Sequence, residues 1–313
     1  MESWPAFETV YENAFVFVLR ADPVETYMTF TFGSIIFEGI IDWGDGEYSE
    51  ITQYDTTPSH TYARPGDYIV RMIGYLWEFR FNSTGTANTS GKMPVVVITP
   101  FPAYPIDRPL PGLQGIVRLT GVFSDCPNLY AVPDDVFRRY KIPELKVSMT
   151  SGIFARDESL LRIPEDLLKG LVFTGSYVGL GHFNGCRSIK VIPPDLYDND
   201  DLIGRNLDLS SAFTRCSITE IPDGLFDKCG GAQTVRGIFR ETLLESVQSD
   251  LFDGLPNIID FTNAFLNCSH ITSSVPELWV DYPNVYSDQC FEGCRNAANW
   301  TSIPRSWGGP AQG

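Results

Sequence analysis

The sequence predicts a mainly β protein in two parts, a sandwich of antiparallel strands followed by a solenoid of short repeats. Three observations carry this reading. Residues 1–100 hold runs rich in Phe, Val, Ile, Tyr and Thr, each bounded by turn residues. Residues 93–112 hold Pro94, Pro100, Pro102, Pro105, Pro109 and Pro111, a density that blocks helix and central strand alike. Beyond residue 115 one pattern, fixed on a phenylalanine, recurs seven times.

In chain order, "AFVFVL" (14–19), "YMTFTF" (27–32) and "IIFEGIIDW" (35–43) read as the first strands. Asp45-Gly46 predicts a hairpin, because a type I′ turn needs the positive φ that Asp and Gly tolerate. Ile41 and Trp43 alternate onto one face as core residues, and Asp42 is expected to satisfy turn donors. Pro65-Gly66 makes a second turn, with Tyr62 placed where a corner tyrosine ties two ends together. "DYIVRMIGYLWEFRF" (67–81) is a long strand, "NSTGTANTSG" (82–91) an exposed loop and "VVVIT" (95–99) a last short strand. The domains are therefore 1–99 for the sandwich, 100–114 for a stiff Pro-rich linker and 115–313 for the repeats.

The repeat anchors are Phe123, Phe154, Phe183, Phe213, Phe239, Phe265 and Phe291, spaced by 31, 29, 30, 26, 26 and 26 residues. Upstream of several lies an apolar–x–apolar triplet: Val117–Leu119, Leu145–Val147, Leu207–Leu209 and Ile259–Phe261. Period two turns both apolar side chains of each triplet toward the core. Phe-x-x-Cys-x-x-Leu follows, at a spacing that suits a turn or two of helix. An "IP-x-D-LF" segment closes each unit, with Pro at a first helical position and Phe137, Leu168, Tyr197, Phe226, Phe252, Trp279 or Trp307 at its end. Unit five carries Thr242 and Gln248 where others carry Cys and Pro, unit two carries Asp157 at the Cys position, and unit seven ends as a degenerate cap. One unit buries too little alone; stacking makes the core continuous.

The formal charge is −16, with 13 acidic against 5 basic residues in the first hundred and 26 against 18 in the rest. No basic stripe exists to neutralise phosphates, which argues against nucleic acid and against anionic membrane surfaces. A solvated acidic surface is the plain reading. "AFVFVL" is too short for a signal sequence or a membrane span, so no secretion signal is expected.

Five of seven cysteines (Cys126, Cys186, Cys216, Cys268 and Cys294) sit three residues after an anchor, a packing slot for reduced thiols. No C-x-x-C pair suggests zinc. His182 and His270 are expected capped or exposed within repeats, and no Ser–His–Asp arrangement can be picked out. "DNDD" (198–201) lacks the glycine of a calcium loop and reads as a solvated turn. Sequons such as those at Asn82 and Asn299 matter only in a secretory pathway. No catalytic, cofactor-binding or metal residue is expected. The middle residues of the triplets, Arg118, Lys146, Asp208 and Asp260, point to solvent and form the candidate interaction face.

"DWGDGEYSEI" followed by "PSHTYARPGDYIVRMIG" resembles the PKD-type immunoglobulin-like domain over residues 1–81. The resemblance implies an Ig-like sandwich in which His60 is structural. The Phe-x-x-Cys-x-x-Leu-x-x-Ile-Pro-x-x-Leu-Phe rhythm over residues 115–309 resembles the BspA-type leucine-rich repeat. Together they resemble proteins of bacteriophage particles and bacterial surfaces, and they imply display, adhesion or assembly without an active site.

Three functions follow as expectations. The first is a non-enzymatic bacteriophage virion protein: a tail fibre, baseplate or capsid-decorating subunit assembled in the host cytoplasm. Its partners are capsid or tail proteins, copies of itself and a host surface glycan or protein. The second is a bacterial cell-surface adhesin. The third, a glycan hydrolase, needs paired carboxylates on a domain that no segment remains to house.

Overall fold

The computed structural model describes residues 14–21, 28–32, 34–52, 58–81, 95–98, 116–137, 146–148 and 151–310. Among these it is mainly β, with a few single helical turns. The predicted linker at 100–114 and the sequon at Asn82 lie outside the described residues.

Among the described residues the first part has seven strands: β1 (Ala14–Ala21), β2 (Met28–Thr31), β3 (Ser34–Asp42), β4 (Tyr48–Ile51), β5 (Ser59–Tyr62), β6 (Gly66–Arg80) and β7 (Val95–Ile98). Five of them form a sheet in the order β4-β3-β6-β1-β7, every pair antiparallel, while β2 and β5 pair separately. Phe15, Phe17 and Leu19 alternate along β1 into a core shared with Phe37, Ile41, Val70 and Met72. Tyr62 and Phe32 belong to the same core, and the Phe17 and Phe32 rings meet edge to face at 6.0 Å.

The β3–β4 hairpin forms where Asp45-Gly46 predicts it, but with five residues between the strands. Gly44 and Gly46, rather than Asp45, take the positive φ. Gly44 is required there, since a Cβ on it would sit 2.6 Å from the Ile69 carbonyl oxygen.

The second part adds β8 (Ile116–Arg118), β9 (Lys146–Ser148), β10 (Val172–Phe173), β11 (Tyr177–Gly179), β12 (Asn206–Asp208) and β13 (Ala232–Thr234). Their pairing is parallel: β8, β9 and β10 form one sheet, and β11, β12 and β13 a second. Bridges from Thr234 to Asp260 and from Asp260 to Tyr286 extend the second sheet.

All seven anchor phenylalanines are fully buried and stack ring on ring, with centroids 5.3–6.0 Å apart. The amide of each anchor donates to the carbonyl just before the next anchor: Phe123 to Ile153, Phe154 to His182, Phe183 to Ala212, Phe213 to Ile238, Phe239 to Ala264 and Phe265 to Cys290. A second column, Tyr197, Phe226 and Phe252, stacks at 6.0 and 6.1 Å along the closing positions. Trp307 ends the anchor column, accepting the Phe291 amide at 2.8 Å and stacking on its ring.

The segment after each anchor is a chain of tight turns rather than the expected helix. The residue two past every anchor has positive φ: Asp125, Arg156, Gly185, Arg215, Glu241, Asn267 and Gly293. A left-handed residue there stops a right-handed helix at its first turn. Several prolines that follow an Ile or Val open turns as well: the Val136, Leu167, Leu196 and Trp307 amides donate to the Pro133, Pro164, Pro193 and Pro304 carbonyls.

Two further expectations are corrected. Ile259 is 57% exposed, so its triplet presents only Phe261 to the core. His182 is wholly buried, because it stands one residue before an anchor, in a column otherwise filled by Val122, Ile153, Ala212, Ile238, Ala264 and Cys290. His270 is exposed.

Candidate functional site

Two places carry chemistry: the acidic hairpin of the first part and the edge of the parallel ladder in the second. In the hairpin, Asp42 Oδ1 accepts the Gly44 amide at 2.9 Å and Oδ2 pairs with Arg71 at 3.1 Å. Asp45 accepts the Glu47 amide, and its Oδ2 lies 2.7 Å from His60 Nε2. Although partial burial alone raises the Asp45 pKa, the bonds from His60 and the Glu47 amide hold it below the usual carboxylate range. The His60 ring stacks on Trp43 at 5.0 Å and meets Tyr62 edge-on. Tyr62 donates its hydroxyl to the Trp43 carbonyl at 2.8 Å, as the corner reading expects. Asp42 and Asp45 thus hold the turn in place, while the exposed Glu47 carboxylate lies 3.7 Å from His60 Nδ1.

The predicted face Arg118, Lys146, Asp208 and Asp260 is not one row. Arg118 pairs with Ser148, and Lys146 with Ile116, so these two cations stand at different register positions. Asp208 and Asp260 do share a column, which runs Gly179, Asp208, Thr234, Asp260 and Tyr286. Both are half-buried. Asp208 Oδ1 accepts the Ser210 amide and Asp260 Oδ1 the Thr262 amide, each at 2.8 Å, while Thr234 Oγ1 accepts the Arg236 amide at 3.2 Å. These side chains shape the turn that leads into each anchor.

The exposed groups of this edge lie beside that column and at its end, Tyr286. Tyr177 is 59% and Tyr286 72% exposed, with Asn206, Gln233 and Ile259 exposed between them. The Tyr177 hydroxyl donates to Asp208 Oδ2 at 2.6 Å; burial first, and then this carboxylate, push its pKa up to about 12. The phenol therefore stays neutral and its ring is held in one orientation. Residues on successive rungs stand roughly 4.8 Å apart. Aromatic rings and side-chain amides on a rigid ladder can bind by apolar contact and hydrogen bonding. The triplet pattern does not point to them, because its middle positions carry charges instead.

Among the described residues no group of three or more His, Cys, Asp and Glu is arranged to hold a metal ion, and no helix is long and apolar enough to cross a membrane. No family model, curated protein or solved structure matches the chain.

Proposed function

We propose that the chain is a non-enzymatic display protein of a bacteriophage particle: a tail fibre, baseplate or capsid-decorating subunit. In this reading a PKD-type immunoglobulin-like sandwich caps a solenoid of BspA-type leucine-rich repeats, and the exposed edge of the ladder contacts a host glycan or protein. The observation that carries it is the continuous anchor column. Among the described residues Phe81 and Trp307 flank that column on either side, and exposed side chains lie along its length. Capsid or tail proteins and further copies of the chain are its proposed partners. Seven free, buried cysteines suit assembly in a reducing host cytoplasm. The exposed tyrosines would serve attachment equally in a bacterial cell-surface adhesin, the second reading. Mass spectrometry of purified particles tests the first: the chain should be present in fixed stoichiometry with capsid or tail proteins. Its absence from particles, with recovery in a bacterial surface fraction, replaces the first reading by the second.

A further inference from the structure

The position three residues past each anchor holds Cys126, Asp157, Cys186, Cys216, Thr242, Cys268 and Cys294, all buried. From unit three onward its cysteines share one task. Cys186 Sγ donates to the Phe154 carbonyl at 3.0 Å, Cys216 to Phe183 at 3.2 Å, Cys268 to Phe239 at 2.9 Å and Cys294 to Phe265 at 3.2 Å. Each thiol thus satisfies the anchor carbonyl of the unit before it. Thr242 Oγ1 also donates to an anchor carbonyl, that of Phe239, at 2.8 Å. In these five units the slot thus supplies a donor to an anchor carbonyl.

Asp157 fills this slot in unit two and is fully buried. Its Oδ1 accepts the Cys126 amide at 2.7 Å, while its buried Oδ2 receives no hydrogen bond. An ionised carboxylate can only accept, and a buried oxygen without a donor is costly. A protonated carboxyl has the O–H that the slot supplies elsewhere. We propose that Asp157 is held as a neutral carboxylic acid that donates to the Phe123 carbonyl, making the joint between units one and two a proton-dependent latch.

The surrounding groups agree. On the solvent side Asp125 and Arg156 form a bidentate pair; the thiols of Cys126 and Cys186 interact with Asp157 from units one and three. No unpaired cation faces the slot among the described residues. Burial drives the Asp157 carboxyl well above the usual range and Asp125 adds to this; the Cys126 amide and Arg156 oppose it. The sign follows from linkage. Below the unfolded value of about 4 both states carry the proton and the group is neutral to stability. Above it the unfolded chain releases a proton that the folded chain keeps, so stability falls as pH rises. At full effect the unfolding equilibrium constant grows about tenfold per pH unit.

The test compares the full chain with Asp157→Cys, which restores the thiol of the other units, by urea unfolding at pH 5, 6, 7 and 8. The variant should lose less stability with rising pH than the parent, and should be the more stable of the two at pH 8. Parallel pH profiles overturn the proposal. If the variant does not fold, carbon-13 NMR of aspartate-labelled parent protein decides it. A carboxyl that stays protonated through pH 6 supports the latch, and one titrating near 4 refutes it.

Discussion

The Phe81 amide donates to the Val122 carbonyl at 3.0 Å, the same bond that each anchor phenylalanine makes to the residue before the next anchor. Its ring lies 6.2 Å from Phe123, so Phe81 acts as the first ring of the anchor column although it follows the last residue of β6. The neighbouring ladder is continued too: the Tyr130 amide donates to the Val96 carbonyl, and Val97 bridges Ala131 in parallel. The sheet of the first part thereby occupies the place of a preceding repeat. It covers ladder groups of unit one that would otherwise face water. One hydrophobic core runs through both parts.

Replacing Phe81 by Ala should therefore uncouple the two parts. The ring also packs on Phe17 at 5.1 Å, so its loss empties space on both sides. Such truncations cost about 3–5 kcal/mol. Urea unfolding of the parent, followed by tryptophan fluorescence and circular dichroism, should give one coincident transition. Phe81→Ala should give two, the earlier one reporting the first part. Coincident transitions in the variant would show that the cap is not what couples them.

Tyr62→Phe removes only the hydroxyl that reaches the Trp43 carbonyl. The ring, stacked on Tyr68 at 4.1 Å, stays. Leaving that carbonyl with a lost bond in a buried place should cost about 1–2 kcal/mol, read as a lower urea midpoint at unchanged slope.

All seven cysteines are free and buried, and burial raises each thiol pKa, Cys268 to about 11 and Cys229 to about 12. The thiolate is the reactive form, so a disulfide-exchange reagent should label none of them in the native protein over minutes and all seven in denaturant. Fast native labelling of one thiol would locate an opening in the stack.

Much of this was legible in the sequence. The run "AFVFVL" is part of β1, and 67–80 lie within β6, because alternation of large apolar residues leaves one low-energy way to bury them. The anchor phenylalanines were legible because one identical side chain per unit can stack on itself. The candidate face was less so. Unit three carries two strands, β10 and β11, and Gly179 rather than Val178 pairs with Asp208, so counting back from the anchor misses by one. A single-residue slip exchanges the faces of a strand, and apolar triplets alone do not fix it. A second set of left-handed residues, two before an anchor, has a visible signal in Gly121, Gly152, Gly237 and Asn263. The cap role of Phe81 had none, since it depends on how two different patterns meet.

Stability should peak in mild acid. Asp67 is held low by its bond from Arg20, Asp134 by Arg162 and Glu241 by Arg215. Groups with depressed values contribute stability above the unfolded value of about 4 and lose it as pH falls through the folded one. These pairs are partly exposed and each contributes little. Asp157 acts in the opposite sense above about pH 4. Repulsion among the excess carboxylates, net −16 at pH 7, also weakens toward the pI of 4.5. The melting temperature should be highest between about pH 4 and 6. A monotonic rise from pH 5 to 8 would contradict this balance.

Attachment, in the proposed function, rests on side chains whose removal costs the fold little. Tyr286 and Ile259 are 72% and 57% exposed, and their backbones, not their side chains, carry the ladder: the Tyr286 amide donates to the Ile259 carbonyl at 2.9 Å. Tyr286→Ala and Ile259→Ser should thus change stability by no more than about 0.5 kcal/mol. Exposed aromatics at the centre of a contact often dominate its energy, so binding of the labelled protein to host cells should fall at least about tenfold in the double variant, a loss of about 1.4 kcal/mol. Reversing both charges of the Arg20–Asp67 pair on the first part, remote in sequence from this edge, is the control and should leave binding unchanged. If the control abolishes binding while the double variant retains it, the sandwich rather than the repeat edge faces the host.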